Sequence, residues 1–172
     1  MLYFVRHGES ESNLNKTFAG SQVDALLTEK GREQARETAQ VIINSGIKFD
    51  RIISSPLKRA YETAEIINES LNLNVIVDMR IIEYDMGDLS GQLNNGINSH
   101  QLIASKNAED IIFFKNRIVS FLKDMEDKEE FILIVAHAGI ARMIESIQKD
   151  LDITLFYDLE APKNAELLFI QK

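Results

Sequence analysis

The chain has 172 residues, no cysteine, and 27 acidic against 19 basic residues, which gives a formal net charge of −8. The absence of cysteine excludes disulfides and thiolate metal sites, and the acidic balance argues against general binding to nucleic acid or to anionic membranes. The length and the 45% hydrophobic content favour one domain over residues 1–172, with a core of ordinary size.

Short apolar runs rich in Ile, Val and Phe predict buried β-strands. The runs are Leu2–Val5, Arg51–Ser54, Asn74–Val77, Phe131–Ala136 and Glu166–Ile170. No basic and apolar leader precedes the first run, and the longest is too short to span a bilayer. We therefore expect a cytoplasmic protein without a membrane partner.

Amphipathic segments between these runs predict four helices. The first extends from a cap at Thr28 to a stop at Gly46, and the second begins soon after Pro56. The four apolar faces comprise Ala35, Ala39, Ile42 and Ile43; Ala60, Ala64, Ile67 and Leu71; Ile111, Phe114, Ile118, Phe121, Leu122 and Met125; and Ala141, Ile144 and Ile147. Strands that alternate with helices predict an α/β fold with a mostly parallel sheet covered on both faces.

Three polar segments stand where predicted strands end. Arg6–Gly8 follows the first run, Ser54–Pro56 closes the second, and His137–Gly139 follows the fourth. In parallel sheets, ligands bind beyond the carboxyl ends of the strands. We therefore expect these segments to meet at one ligand site, with the polar segment Gly91–Asn107 as a loop or lid over it.

Residues Arg6 to Asn13 have the chemistry of a phosphate site. Neutral imidazole is a competent nucleophile near neutral pH, so His7 can attack phosphorus, and the Arg6 guanidinium is a planar donor fork suited to phosphate oxygens. A short helix opening at Ser10 would offer free backbone N–H groups and the Asn13 amide to an anion. Gly8 permits close approach of the backbone to a ligand. Taken alone, this motif is also compatible with a structural histidine at a strand end.

Five motifs follow one another between Leu2 and Arg142. They are Arg6-His7-Gly8-Glu9-Ser10 with Asn13; Gly20, Asp24, Leu27-Thr28, Gly31 and Gln34-Ala35; Ser54-Ser55-Pro56-Leu57 with Arg59-Ala60 and Thr63-Ala64; Glu83, Asp85, Gly87 and Gly91; and Val135-Ala136-His137-Ala138-Gly139. In this order they resemble the motifs of the histidine phosphatase superfamily, also called phosphoglycerate mutase-like. Each motif is weak alone, but five in register make a specific match.

The resemblance implies a fold and a set of roles. The fold would be a three-layer α/β/α sandwich of the phosphoglycerate mutase-like type, and no metal or other cofactor would be needed. His7 would be the nucleophile that becomes phosphohistidine, with His137 beside it in the catalytic centre. Glu83 would protonate the leaving oxygen and then activate water. The phosphate-binding residues would be Arg6, Asn13, Arg59, His137 and Ala138.

Several of these roles also have a physical basis in the sequence. His137 would gain from protonation beside a phosphate, because an opposite charge favours the charged form. Arg59 lies one short turn after Ser55 and can reach the same strand-end site. Glu83 stands between Ile82 and Tyr84, where partial burial suits a general acid, and Asp85 is the second candidate for that role. Structural histidine, surface arginine and exposed carboxylate are the respective alternatives.

The sequence departs from the family pattern at two positions and lacks a feature of the mutases. Leu26 stands where the family often has proline, which changes loop stiffness rather than chemistry. Ala138 stands where the family often has glycine; its backbone N–H can still meet the phosphate, but alanine narrows the allowed conformations. Mutases of the family carry a longer insertion with extra basic residues, whereas Gly91–Asp110 contains only Lys106 and no arginine. We therefore expect hydrolysis by water rather than transfer to a second hydroxyl.

Other site classes find no support. The three histidines lack the His-x-x-x-His spacing of a metal site, and no P-loop motif is present; His100 is expected to be solvated or to contact the substrate. The predicted function is a phosphomonoester hydrolase for a small phosphorylated metabolite, for example α-ribazole phosphate, a sugar phosphate or phosphoserine. A phosphoglycerate-type mutase and a non-catalytic phosphate-binding module are the alternatives, and the oligomeric state is left open.

Overall fold

The computed structural model describes residues 1–126 and 129–171. Within these residues, five strands form one sheet: β1 (Leu2–Arg6), β2 (Arg51–Ser54), β3 (Asn74–Val77), β4 (Ile132–Ala136) and β5 (Leu167–Gln171). Their order across the sheet is β3-β2-β4-β1-β5. All pairs are parallel except β1 with β5, which is antiparallel. The predicted strands agree with these to within one residue at either end.

The helices in the same part of the chain are α1 (Glu11–Leu14), α2 (Glu29–Ser45), α3 (Lys58–Leu71), α4 (Ser99–Ile103), α5 (Ile111–Met125) and α6 (Ala138–Gln148). Short 3-10 segments cover Met79–Ile81, Gly87–Leu89 and Ile153–Asp158. Thr28 caps α2 by accepting from the Gly31 N–H at 3.0 Å. Gly46 ends α2 with φ +71°, a conformation that glycine adopts at little cost. Both boundaries of α2 confirm the prediction.

The sheet is covered on both faces, which makes three layers. Alternate β4 residues point to opposite sides, so Ile134 packs with α5 and α6, whereas Leu133 and Val135 pack with α2 and α3. All five β4 residues are buried, as expected of a central strand with helices on each side. The α/β/α sandwich with a mostly parallel sheet is confirmed.

One predicted core position is wrong. Ile43 was expected on the buried face of α2 with Ala35, Ala39 and Ile42, but its side chain is 47% exposed. Ile42 and Ile43 are consecutive, so they point about 100° apart around the helix and only one can face the sheet. The apolar spacing predicts a buried face wide enough for both residues, whereas in the folded protein only Ile42 is buried.

Candidate active site

Three neighbouring strands, β2, β4 and β1, end at the same edge of the sheet. The ladder continues one residue past each outer strand: the His7 N–H donates to the Ala136 carbonyl at 2.9 Å, and the Ser55 N–H donates to the Val135 carbonyl at 3.0 Å. His137 directly follows β4 and precedes α6. The three predicted strand-end segments therefore meet, and the backbone fixes the relative positions of His7, Ser55 and His137.

The His7 imidazole is held in one orientation. Its side chain is nearly buried, at 4% exposure, and its Nδ1 lies 2.7 Å from the Gly8 carbonyl oxygen. Because a carbonyl only accepts, Nδ1 carries the ring proton and Nε2 keeps its lone pair. Burial, and then the positive charges of Arg59 and Arg6, hold the pKa of His7 well below its usual value. The imidazole is therefore neutral and Nε2 is in its nucleophilic form.

His137 is fully buried beside His7. The ring centroids are 5.2 Å apart with 60° between the planes. Its Nε2 lies 2.7 Å from Ser55 Oγ, and its Nδ1 is buried without a hydrogen-bond partner among the described residues. Burial, followed by the charge of Arg59, lowers the pKa of His137 well below that of a free histidine. A phosphate dianion beside it would oppose this shift.

Two arginines converge on the histidines from different elements. Arg59, in the first turn of α3, is only 2% exposed, and its terminal nitrogens donate to the carbonyls of Gly20 and Val23 at 2.8 and 3.0 Å. Arg6 ends β1, and its Nη1 donates to the Pro162 carbonyl at 2.8 Å. Burial lowers the pKa of each guanidinium from a very high ordinary value, so both stay charged. The site therefore holds two fixed cations.

Asn13 presents a side-chain donor at the start of α1. The Asn13 Oδ1 accepts from the Ser10 N–H at 3.1 Å and from Asn164 Nδ2 at 3.2 Å, so among the described residues the Asn13 amide N–H₂ keeps its capacity to donate. The backbone offers less than the sequence predicts, because two N–H groups of the first turn are paired. The N–H of Glu11 donates to the Leu26 carbonyl, and that of Asn13 to Ser10 Oγ.

The structure separates the two candidate acids. Glu83 is 7% exposed and lines the same cleft as His7, and its carboxylate accepts from the N–H groups of Tyr84 at 2.9 Å and Gly139 at 3.1 Å. Asp85 lies outside that cleft and accepts from Gln22 Nε2 at 2.7 Å and from the Gly87 N–H at 2.8 Å. Glu83 thus shares the cleft with His7, whereas Asp85 stabilises a turn.

Glycines allow the close packing around these groups. A Cβ on Gly139 would collide with the Glu83 carboxylate. Gly8 and Gly31 pack backbone to backbone, so a Cβ on Gly8 would overlap the Gly31 carbonyl. The start of α2 is therefore pressed against the segment that carries His7.

The side chains above surround a cleft of about 240 Å³. Its wall includes the predicted Arg6, His7, Asn13, Arg59, Glu83 and Ala138. His137 is fully buried, and its neighbours Ala138 and Gly139 form the nearby wall. Among the described residues, three guanidinium groups and one carboxylate line the cleft, which makes it locally positive in an acidic protein.

Sequence reasoning missed the third guanidinium, that of Arg142. Its Nε donates to the Leu159 carbonyl at 2.8 Å, and its guanidinium carbon lies 4.5 Å from the centre of the Tyr157 ring. Arg142 follows Ala138 by four residues in α6, so helical spacing places both on one face. That spacing could have identified it.

Two other contributors give no comparable signal. Asn164 donates to the His7 carbonyl at 2.9 Å, although the two residues are 157 positions apart. Asn94, from the predicted lid, lines the cleft. His100 is exposed and lies outside the cleft wall, so of its two predicted settings the structure supports the solvated one.

The segment Gly91–Asn107 is more structured than the predicted loop. It contains α4, whose first residue is tied to the 3-10 segment Ile153–Asp158. The Ser99 N–H donates to Asp158 Oδ1 at 2.9 Å, and the Asp158 N–H donates to Ser99 Oγ at 3.0 Å. This reciprocal pair anchors the segment beside the cleft.

A family model for the histidine phosphatase superfamily (branch 1) matches residues 2–171. The chain belongs to the histidine phosphatase superfamily. The resemblance drawn from the five motifs is confirmed, and so is the phosphoglycerate mutase-like fold.

Relatives in this superfamily include both phosphatases and mutases. A putative phosphoserine phosphatase 2 of Hydrogenobacter thermophilus is 34% identical over 160 residues, which cover 83% of this chain and 75% of the relative. A 2,3-bisphosphoglycerate-dependent phosphoglycerate mutase of Thermoplasma acidophilum is 38% identical over 62% of this chain and 54% of its own length. The chain thus matches the phosphatase over more of both lengths.

A solved structure shows the same architecture. Mycobacterial glucosyl-3-phosphoglycerate phosphatase, in complex with VO3, superposes with a TM-score of 0.77 over 96% of this chain and 88% of the other, at 26% identity.

The residues described here contain no group of three or more His, Cys, Asp or Glu side chains placed to hold a metal. In the same part of the chain, no helix is long and apolar enough to cross a membrane.

Proposed function

We propose that this chain hydrolyses small phosphomonoesters through a phosphohistidine formed on His7. The observation that carries the proposal is the 2.7 Å contact between His7 Nδ1 and the Gly8 carbonyl, which leaves the Nε2 lone pair free. That nucleophile stands in a cleft with Arg6 and Arg59 as cations and Glu83 as a carboxyl group. A nucleophile, charge-stabilising donors and a proton carrier are what phosphoryl transfer requires.

The chemistry has two in-line steps. His7 Nε2 attacks phosphorus, the bond from phosphorus to the ester oxygen breaks, and Glu83 gives its proton to the leaving oxygen. Glu83, now a carboxylate, takes a proton from water as the water oxygen attacks phosphorus. The P–N bond then breaks, His7 regains its lone pair, and inorganic phosphate leaves. The two arginines and His137 stabilise the charge on the phosphoryl oxygens in both steps.

The cleft favours a small substrate with a second negative group. Its volume of about 240 Å³ is below the range of about 300–1,000 Å³ usual for drug-sized ligands. Arg142 adds a cation beyond the pair at the phosphate. A phosphorylated hydroxy acid or amino acid such as phosphoserine fits both features better than α-ribazole phosphate, and a relative named as a phosphoserine phosphatase is in keeping with it.

A phosphoglycerate-type mutase is the second candidate, because some relatives are mutases, and this chain matches about half of the length of each. A phosphoglycerate-type mutase must hold a second phosphate position as well as the substrate carboxylate while the phosphoryl group moves between hydroxyls. No lysine belongs to the described cleft wall, and Arg142 is its single cation beyond Arg6 and Arg59. This favours water as the acceptor.

We also propose one domain over residues 1–172, supported by the shared sheet, and a cytoplasmic location.

The experiment is phosphate release from a panel of phosphomonoesters in the presence of EDTA. The panel contains phosphoserine, 3-phosphoglycerate, a sugar phosphate and α-ribazole phosphate, and each is tested with the parent and with His7→Ala. We expect release by the parent in EDTA and loss of at least 10³-fold in the variant. Variant activity within tenfold of the parent would refute the nucleophile. Tight phosphate binding without release would support the binding module, and mutase turnover equal to hydrolysis would support the mutase.

A further inference from the structure

Ser55 and His137 form a buried pair that the two-step chemistry leaves unexplained. Both side chains have no measurable exposure, and Ser55 Oγ lies 2.7 Å from His137 Nε2. Ser55 Oγ also accepts from the Leu57 N–H at 3.4 Å. Among the described residues, this hydroxyl makes no other hydrogen bond. His137 Nε2 is therefore the acceptor available for the Ser55 hydroxyl proton.

The position of the His137 ring proton follows from counting donors and acceptors. If Nε2 carried the proton, the Ser55 hydroxyl would have no acceptor for its own, and Nδ1 would be a bare buried acceptor. An unpaired buried polar group costs about 1–3 kcal/mol. If Nδ1 carries the proton instead, Ser55 donates to Nε2 and only the Nδ1–H is unpaired. The second arrangement leaves one open group instead of two.

The open group is the one that the chemistry needs. Phosphoryl oxygens only accept, so His137 can stabilise them solely through a nitrogen that bears hydrogen. Nε2 is occupied by Ser55, and Nδ1 is the buried atom without a partner in the described part of the chain. The His137 ring stands 5.2 Å from the His7 ring, within reach of a phosphoryl group on His7. An orphaned buried atom at this point is therefore explained by a ligand.

We propose that Ser55 is a positioning residue: by donating to His137 Nε2, it keeps the ring proton on Nδ1, where it can bind the transferring phosphoryl group. The inference rests on the proposed function of the site. Both histidines then carry the ring proton on Nδ1, but for different reasons and with different uses. In His7, Nδ1–H donates to the Gly8 carbonyl and Nε2 is free to attack phosphorus. In His137, Nε2 accepts from Ser55 and Nδ1–H is free to donate to the phosphoryl group.

The test combines kinetics with histidine NMR on full-length protein. Ser55→Ala removes the hydroxyl, Ser55→Thr keeps it, and Ser146→Ala is the matched control, because Ser146 is also buried and its hydroxyl donates to a carbonyl within α6 at 2.9 Å. We expect kcat to fall about 10- to 100-fold in Ser55→Ala, with a smaller change in KM, because the lost donation is strongest in the transition state. Ser146→Ala should stay within threefold of the parent.

Imidazole ¹⁵N shifts report the tautomer directly, and the chain has only three histidines to assign. With orthovanadate bound, parent and Ser55→Thr should show His137 protonated on Nδ1, and Ser55→Ala should show a mixture or the other tautomer. A parent protein in which His137 carries a proton on Nε2, with or without one on Nδ1, overturns the proposal, whether or not any variant folds. So does a Ser55→Ala protein with parental kcat. Continued hydrolysis by His7→Ala would instead defeat the proposed function and leave the tautomer result standing.

Discussion

Glu83 and Asp85 are two residues apart, but only Glu83 lies in the cleft with His7. We predict that Glu83→Gln lowers kcat by about 10²- to 10⁴-fold, because the amide cannot protonate the leaving oxygen or activate water. Asp85→Asn is the matched control and should stay within about threefold, since Asn Oδ1 can still accept from Gln22 and Gly87. Steady-state phosphate release measures both. Equal losses in the two variants would remove the assignment of Glu83.

Arg142 gives a second prediction, concerning which substrates are hydrolysed. Arg142→Met should lower the ratio of kcat/KM for phosphoserine over phosphoethanolamine by about 10- to 100-fold, because the two substrates differ in the carboxylate and a charged hydrogen bond is worth about 1.5–3 kcal/mol. Arg36→Met, which changes an exposed arginine on α2, is the control and should leave the ratio unchanged. A parallel decline for both substrates would show that Arg142 does not bind the carboxylate.

At the residue level, the sequence predicted the groups that follow strands and missed those that arrive from elsewhere. His7 and His137 could be placed because the ends of parallel strands share an edge. Asn164 could not, because its contact with His7 spans 157 positions and no local pattern encodes it. The pairing of Ser55 with His137 also depends on the β2–β4 register, which the strand patterns alone do not specify.

At the level of elements, α2 illustrates how tightly the helices are fixed to the site. Its first turn presses Gly31 against the backbone of Glu9, so a Cβ at Gly31 would overlap the Glu9 carbonyl. At the other end, a Cβ at Gly46 would meet no atom within 4 Å, and the one obstacle there is the φ of +71°. The two glycines of one helix therefore resist substitution for different reasons.

We predict that Gly46→Ala lowers the free energy of unfolding by about 1–2 kcal/mol, the cost of a left-handed residue with a side chain. Gly31→Ala should cost about 3 kcal/mol or more, because backbone must move on both sides of the contact. Gly31→Ala should also reduce turnover, since that backbone continues into His7. Urea denaturation and phosphate release measure the two effects. Equal costs for the two substitutions would contradict this account of the packing.

The helices and strands were predicted more completely than the long-range hydrogen bonds that hold them in place. Caps, apolar spacing and strand runs gave four of the helices and all five strands to within a few residues, because these signals are local. The polar composition of Gly91–Asn107 predicts a loop or lid without regular structure, yet Ser99 and Asp158 anchor the segment through side-chain to backbone hydrogen bonds. Such long-range ties have no periodic signature.

For the whole molecule, the two buried histidines link stability to pH. Their pKa values lie well below the usual 6.5 in the folded chain and return to about 6.5 on unfolding. Below pH 6.5 the unfolded chain binds more protons than the folded one, so the free energy of unfolding decreases as the pH is lowered. Each histidine contributes up to about 1.4 kcal/mol per pH unit. This contribution is fully present above pH 6.5 and is lost as the pH falls toward the folded pKa values.

We therefore predict that His7→Asn makes this dependence shallower by up to about 1.4 kcal/mol per pH unit between pH 6.5 and 5. Urea melts at several pH values in phosphate-free buffer measure it, and the difference from the parent isolates His7 from the carboxylates. An unchanged slope would mean that His7 titrates normally in the folded chain. Added inorganic phosphate should weaken the dependence in the parent, because an anion in the cleft favours the protonated histidine.

The large sequence separation between His7 and Asn164, which are in contact in the folded protein, has a consequence for how the chain folds during synthesis. Strand β1 pairs with β4 and β5, both formed by residues beyond position 131, so β1 leaves the ribosome well before either of its partner strands. At about 5–20 residues per second, the 157 residues from His7 to Asn164 take roughly 8–31 seconds to synthesise. During that time the apolar β1 segment and the His7 side chain lack the contacts that they make in the folded protein. Nascent chains should therefore engage holding chaperones through β1, and phosphate binding should arise only after Asn164 has left the ribosome.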